Sequence, residues 1–131
     1  MFLDTSGLFA LYDTRDLFHG DAVREYHSAR RCCTHSYVLA ELIALATTRG
    51  MPRQGTIEYM RDLLDDPMID VLWVDELHHR AALDFLSRRI DKGYSLCDAV
   101  SFLQMGKGNI TEALTTDHHF EQEGLVRLLK R

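Results

Sequence analysis

The sequence predicts an α/β fold, a parallel sheet with helices on both faces, and three observations carry that expectation. Short apolar runs of strand character alternate with longer stretches of helical period, and strands separated by helices pair in parallel because each crossover returns the chain to the same sheet edge. The 131 residues, 46% of them hydrophobic, are enough for one core and too few for two, so residues 1–131 are expected to form one domain. Several acidic residues stand where these elements end, at the sheet edge where α/β proteins collect ligands.

Met1-Phe2-Leu3 reads as a short buried strand, after which Ser6 is placed to cap a helix running through Tyr12. The segment from Asp16 to Tyr26 carries apolar residues at helical spacing, and Cys32 to Thr34 is a short strand candidate. Ser36 starts a helix whose apolar stripe is Val38, Leu39, Leu42, Ile43 and Leu45, ended by Gly50. Pro52 opens the next helix, to about Leu64. Ile69 to Val74 reads as a strand with Trp73 in the core, and a helix then runs from Asp75 or Glu76 to about Lys92, stopped by Gly93. Ser95 caps a helix over Leu96 to Met105, broken by Gly106 and Gly108; Glu112 to Thr116 is a strand leading into Asp117, and Leu125 to Leu129 a last one. There are no internal repeats, no low-complexity segment and no composition shift that would mark a linker.

Composition narrows the function. No run approaches the ~18 apolar residues of a membrane span, and no basic, apolar leader precedes the first strand, so a soluble, cytoplasmic protein is expected. Cys32, Cys33 and Cys97 have no metal-knuckle spacing, and two are adjacent, which fits reduced thiols rather than a disulfide framework. A net charge of −5 argues against a broad basic surface for a polyanion. Arg30-Arg31, Arg49 with Arg53, and Arg88-Arg89 are local exceptions, most simply solvated helix faces.

The chemistry sits in Asp4, Glu41, Asp98 and Asp117. Asp4 and Asp117 fall at the carboxyl ends of strands; Glu41 and Asp98 would reach the same cleft from the first turns of two helices, where the helix dipole favours a carboxylate. Four like charges in one cleft are costly unless a hard divalent cation offsets them, and magnesium or manganese prefers such oxygen ligands. Taken singly, Asp4 could cap the helix after it, Asp98 could be an early-turn dipole partner, and Asp117 could cap a short helix, but capping does not explain all four together. Glu41 lies within an apolar helical stripe, where a solvated charge is unexpected. The pairs His78-His79 and His118-His119 suggest zinc only weakly, since adjacent helical residues diverge by about a hundred degrees. His118 or His119 beside the cleft could contact a nucleic acid. The absence of a second aspartate two positions after Asp4 removes the phosphoaspartate phosphatases. Tyr12, Tyr26, Tyr37 and Phe18 are more simply core or interface than base-stacking platforms.

The ordered motifs D-T-S, S-Y-V-L-A-E-L, S-L-C-D-A-V-S-F and L-T-T-D-H-H-F-E-Q-E-G, their acids separated by 37, 57 and 19 residues, resemble the PIN-domain ribonucleases, and within them the VapC-like toxins of toxin-antitoxin pairs. The resemblance spans essentially the whole chain. It implies a sheet of about five parallel strands and a magnesium- or manganese-dependent endoribonuclease, with Asp4, Glu41, Asp98 and Asp117 as catalytic and metal-binding residues. Direct metal contact falls first to Asp4 and Asp98. Ser6, Thr116 and Ser101 match polar positions that would hold a carboxylate or water, and Phe120 and Gly124 look structural. The implied partners are an RNA substrate, an antitoxin and a second copy of the chain. A non-catalytic binding module, a solitary RNA-processing nuclease and a DNA nuclease are the alternatives, and RNA over DNA rests on the resemblance alone.

Overall fold

The computed structural model describes all 131 residues. In chain order the elements are β1 (Phe2–Leu3), α1 (Thr5–Tyr12), α2 (His19–Ser28), β2 (Cys32–His35), α3 (Ser36–Thr48), α4 (Arg53–Asp65), β3 (Ile69–Leu72), α5 (Glu76–Ser87), α6 (Leu96–Lys107), β4 (Glu112–Leu114), α7 (His119–Gln122) and β5 (Val126–Arg127). The five strands form one parallel sheet in the order β3-β2-β1-β4-β5, as the alternating pattern predicts.

Strand order positions the site. The chain builds outward from β1 through β2 to β3, then returns to the other side of β1 with β4 and β5. Connections therefore diverge at the β1/β4 junction, leaving a crevice at its carboxyl edge. Phe2 and Leu3 pair with Ala113 and Leu114, and Asp4 N–H extends the ladder to Leu114 O at 3.2 Å. Phe2, Leu3, Ala113 and Leu114 are fully buried, which places this pair at the covered centre of the sheet. Helices α1 to α4 pack among themselves, and α5 packs on α6.

One continuous apolar core joins the layers, including Leu8 and Phe9 of α1, Leu42 of α3, Met105 of α6 and Phe120 of α7. Phe120 is fully buried, with its ring edge on Phe102 and tilted against Phe2. Gly124 follows α7 at φ 81°, a left-handed value that closes its C-terminal turn. The structural expectation for both residues is met. All three cysteines are buried and unpaired.

Several local expectations are corrected. Helix α1 begins at Thr5 with Asp4 in the cap position, and Ser6 caps nothing; its hydroxyl bonds to the segment after β4 instead. Residues 16–18 lie outside α2, whose first residue is His19. Trp73 is 63% exposed rather than core, because the edge strand β3 ends at Leu72 and Val74 N–H turns away to Ser36 Oγ. Helix α5 stops at Ser87, and the turns that follow let Arg89 bond Glu123 at 2.6 Å. Helix α6 continues through Gly106 to Lys107, while β4 and β5 are shorter than their apolar runs.

Candidate active site

Asp4 leaves the end of β1 directly into the crevice and is only 7% exposed. Thr115 Oγ1 donates to its Oδ2 at 2.7 Å. Burial pushes the Asp4 carboxyl up to about 7; the Thr115 and Thr5 hydrogen bonds oppose that rise, and the negative charges of Asp98 and Asp117 add to it. Three of the four acids thus share one electrostatic neighbourhood.

Thr115, itself fully buried, is the hub of this network. Its proton goes to Asp4, so its oxygen accepts the Asp117 backbone N–H at 3.0 Å and the Ser6 hydroxyl proton at 3.2 Å. Ser6 Oγ in turn accepts Thr116 N–H at 2.9 Å. Every hydroxyl proton has one acceptor, and the segment carrying Asp117 is tied to α1, the helix that Asp4 precedes.

Asp98 is the third residue of α6 and 8% exposed. It does belong to a capping box: Ser95 Oγ accepts Asp98 N–H, and Asp98 Oδ2 accepts Ser95 N–H, both at 3.0 Å. The same Oδ2 lies 3.1 Å from His119 Nδ1. Asp117 Oδ1 accepts His119 N–H at 2.9 Å, which orders the turn into α7. Asp98 and Asp117 therefore each have one oxygen engaged by the protein.

Glu41 stands apart from the other three. It is the sixth residue of α3, in the second turn rather than the first, and it lies on the exposed side of the helix with Ala40 and Ala44, not in the buried stripe. Thr5 Oγ1 reaches its Oε1 at 3.4 Å. The Cys97 thiol is driven upward first by burial and then by the Glu41 charge, with the Asp4 and Asp98 charges adding to the rise. Glu41 is thus tied to the residue that follows Asp4 and acts on the same buried thiol as Asp4 and Asp98.

Two residues marked as polar supports are elsewhere. Ser101 accepts from His35 Nε2 at 2.8 Å and donates to Cys97 O at 2.9 Å, with no carboxylate in reach. Thr116 contributes backbone, its carbonyl accepting from Arg127 at 3.0 Å. Thr115 takes the expected place of Thr116. The two-residue period of extended chain, which puts residues 115 and 117 on one side, was the signal for it. His119 is the other residue beyond the predicted set. His118 is the cap residue of α7 and has helical backbone angles, yet the two rings lie only 4.7 Å apart, and donor atoms of Asp117, His118 and His119 all lie within 4.8 Å of one another, closer than the expected divergence of the pair suggested. Among the arginines, Arg31 pairs with Asp70, Arg89 with Glu123, and Arg49 lies over the Phe9 ring. No helix is long and apolar enough to cross a membrane.

The PIN domain family matches residues 1–124. A VapC ribonuclease of Archaeoglobus fulgidus is 24% identical over 105 residues, spanning 76% of this chain and 65% of its own length. Among solved structures, the crystal structure of Mycobacterium tuberculosis VapC20, titled a sarcin-ricin loop cleaving toxin, superposes with a TM-score of 0.85 at 29% identity over 95% of both chains.

Proposed function

The chain belongs to the PIN domain family, and from that premise we propose that it is a metal-dependent endoribonuclease, the toxin of a toxin-antitoxin pair. The observation that carries the reading is the convergence of Asp4, Asp98 and Asp117 on the β1/β4 crevice, where Asp4 bears a buried carboxyl raised to about 7 by burial and by its neighbours' charges. A carboxylate set so arranged needs a cation to be fully ionised near neutral pH. The donors suit magnesium or manganese, hard ions that take oxygen ligands and keep part of their water. Asp4, Asp98 and Asp117 would hold the ion, with Glu41 at the rim contributing directly or through water. When bound, the cation supplies a water of lowered pKa and neutralises charge on a phosphodiester.

The protein's own part is positioning. Thr115 and Thr5 hold Asp4 and Glu41 from the two sides of the N-terminus of α1, while Ser95 and His119 hold Asp98. These hydrogen bonds set the carboxylate orientations before substrate arrives, the preorganisation that phosphoryl chemistry depends on. An RNA substrate is supported by the names of both relatives, one a ribonuclease and the other a cleaver of the sarcin-ricin loop. An apolar groove supports a protein partner. A groove of about 960 Å³ lies between α5 and α6, lined by Leu77, Phe85, Leu103 and Ile110, with Trp73 exposed nearby in sequence. An antitoxin segment and a second copy of the chain are part of this reading, and light scattering of the purified protein with and without its antitoxin measures both.

Purified, antitoxin-free protein should cut a mixed RNA pool that includes ribosomal RNA when magnesium or manganese is present, and stop in chelator. Asp98→Asn should lose more than the ~10–100-fold that removing an outer partner of a metal ligand costs. Cutting that survives in a folded Asp98→Asn protein would point to contaminating ribonuclease and remove the assignment.

A further inference from the structure

Asp98 Oδ2 receives two donors, Ser95 N–H at 3.0 Å and the His119 ring at 3.1 Å from Nδ1. A carboxylate oxygen only accepts, so Nδ1 carries the proton, and two donors use up that oxygen's capacity. Oδ1 makes no hydrogen bond to a side chain or backbone group and is left open. The His119 side chain is held on both sides: its ring packs edge-on with the Tyr94 ring at a centroid distance of 5.3 Å, and the His119 backbone N–H, which anchors the residue, donates to Asp117 Oδ1 at 2.9 Å. Tyr94 is fixed in turn by its hydroxyl donating to Glu123 at 2.8 Å.

We propose that His119 is a positioning residue for Asp98: by occupying Oδ2 together with Ser95 N–H, it makes Asp98 a one-oxygen ligand for a divalent cation and favours a small octahedral ion over calcium. The inference rests on the metal-dependent reading above and assigns a role within that site. Its physical basis is ligand counting. Calcium takes 6–8 oxygens and readily uses both oxygens of a carboxylate, whereas magnesium and manganese sites near ~2.1 Å are filled by single oxygens and water. Blocking Oδ2 removes the two-oxygen mode, and the hydrogen bond raises the ordering of the remaining donor.

The test is metal binding, read without RNA. Calorimetric titration of Mn²⁺ and of Ca²⁺ into wild type, His119→Ala, His119→Asn and His119→Gln should show Mn²⁺ affinity falling about 10–100-fold in the alanine variant, with a smaller Mn²⁺/Ca²⁺ preference. Asparagine puts its amide N–H where Nδ1 stood and should restore both; glutamine carries its amide out toward the Nε2 position and should restore neither. If His119→Ala does not fold, the asparagine and glutamine variants decide alone. Mn²⁺ affinity in a folded His119→Ala within twofold of wild type overturns the inference, as does rescue by glutamine rather than asparagine, which would mark Nε2 as a direct ligand. Wild-type protein that takes up neither ion overturns the metal reading and this inference together, so the two failures are distinguishable.

Discussion

At the residue scale, two buried titratable groups oppose each other. Asp4, with a folded pKa of about 7 against an ordinary 3.8, keeps its proton longer in the folded chain than in the unfolded one. Its contribution to stability is complete below about pH 4 and is lost as pH rises toward 7. His35 is fully buried, with Nδ1 accepting Val38 N–H and Nε2 bonded to Ser101; burial lowers it from 6.5 to about 4. The unfolded chain takes that proton first, so stability present above pH 6.5 is lost as pH falls toward 4. Across this shared window the slopes nearly cancel, each worth up to a few kcal/mol at about 1.4 kcal/mol per unit. Metal-free wild type should therefore show a flat urea midpoint between about pH 4.5 and 6.5. Asp4→Asn should expose a fall toward acid, and His35→Asn, which keeps an acceptor at the cap of α3, a fall toward neutral pH. Parallel slopes in the two variants would contradict the assignment.

At the element scale, the approach of α1 to β4 sets the crevice. Gly7 lies in the first turn of α1, and a Cβ there would stand 2.0 Å from the Leu114 carbonyl oxygen, a backbone atom that cannot move aside cheaply. The glycine lets the helix N-terminus sit against the strand end, which in turn lets Ser6 reach Thr115 and Thr116. Gly7→Ala should cost at least the ~1–3 kcal/mol typical of overpacking and should weaken cleavage beyond the loss in folded fraction, because Asp4 and Asp117 would be pushed apart. Chemical denaturation together with activity corrected for folded protein measures both effects. Unchanged stability would mean that α1 has room the structure does not show. The capping of α6 is a second coupling between element and site: Asp98 serves its helix with Oδ2 and keeps Oδ1 free of protein partners, so the capping role weighed in the sequence is compatible with the proposed cation role.

At the scale of the whole molecule, the proposed cation site would link metal binding to folding. An ion that binds only the folded chain adds about 2.7 kcal/mol when its free concentration is roughly 100 times Kd. Manganese should raise the melting temperature by several degrees near neutral pH, chelator should reverse the gain, and Asp98→Asn should abolish it while remaining folded. The gain should shrink below about pH 6, where Asp4 holds its proton more fully and competes with the ion. An identical melting temperature with and without metal at every pH would remove the linkage. The net charge of −5 also becomes less negative when a divalent ion is bound, which eases approach of a polyanion to this edge.

The order of strands and helices, the parallel sheet and the four spaced acids were legible in the linear sequence, because they depend on local period and residue chemistry. Element ends were less so, since Trp73 and the turns after Ser87 are governed by where an edge strand leaves the sheet and by the pull of Glu123 on Arg89. The supporting residues were hidden for the same reason. Thr115 and Thr116 are indistinguishable by composition, and His118 and His119 read alike as polar neighbours, yet the side chain of only one of each pair is hydrogen-bonded to a carboxylate. Adjacent residues point in different directions; the period of two groups Thr115 with Asp117, but the packing of α1 on β4 and of α7 beside α6 decides which direction faces the crevice. Sequence determined the fold class and the charges that call for a cation; tertiary structure decided which oxygens are bound by the protein and which are left open, because hydrogen-bond partners distant in the chain meet only after the core has closed.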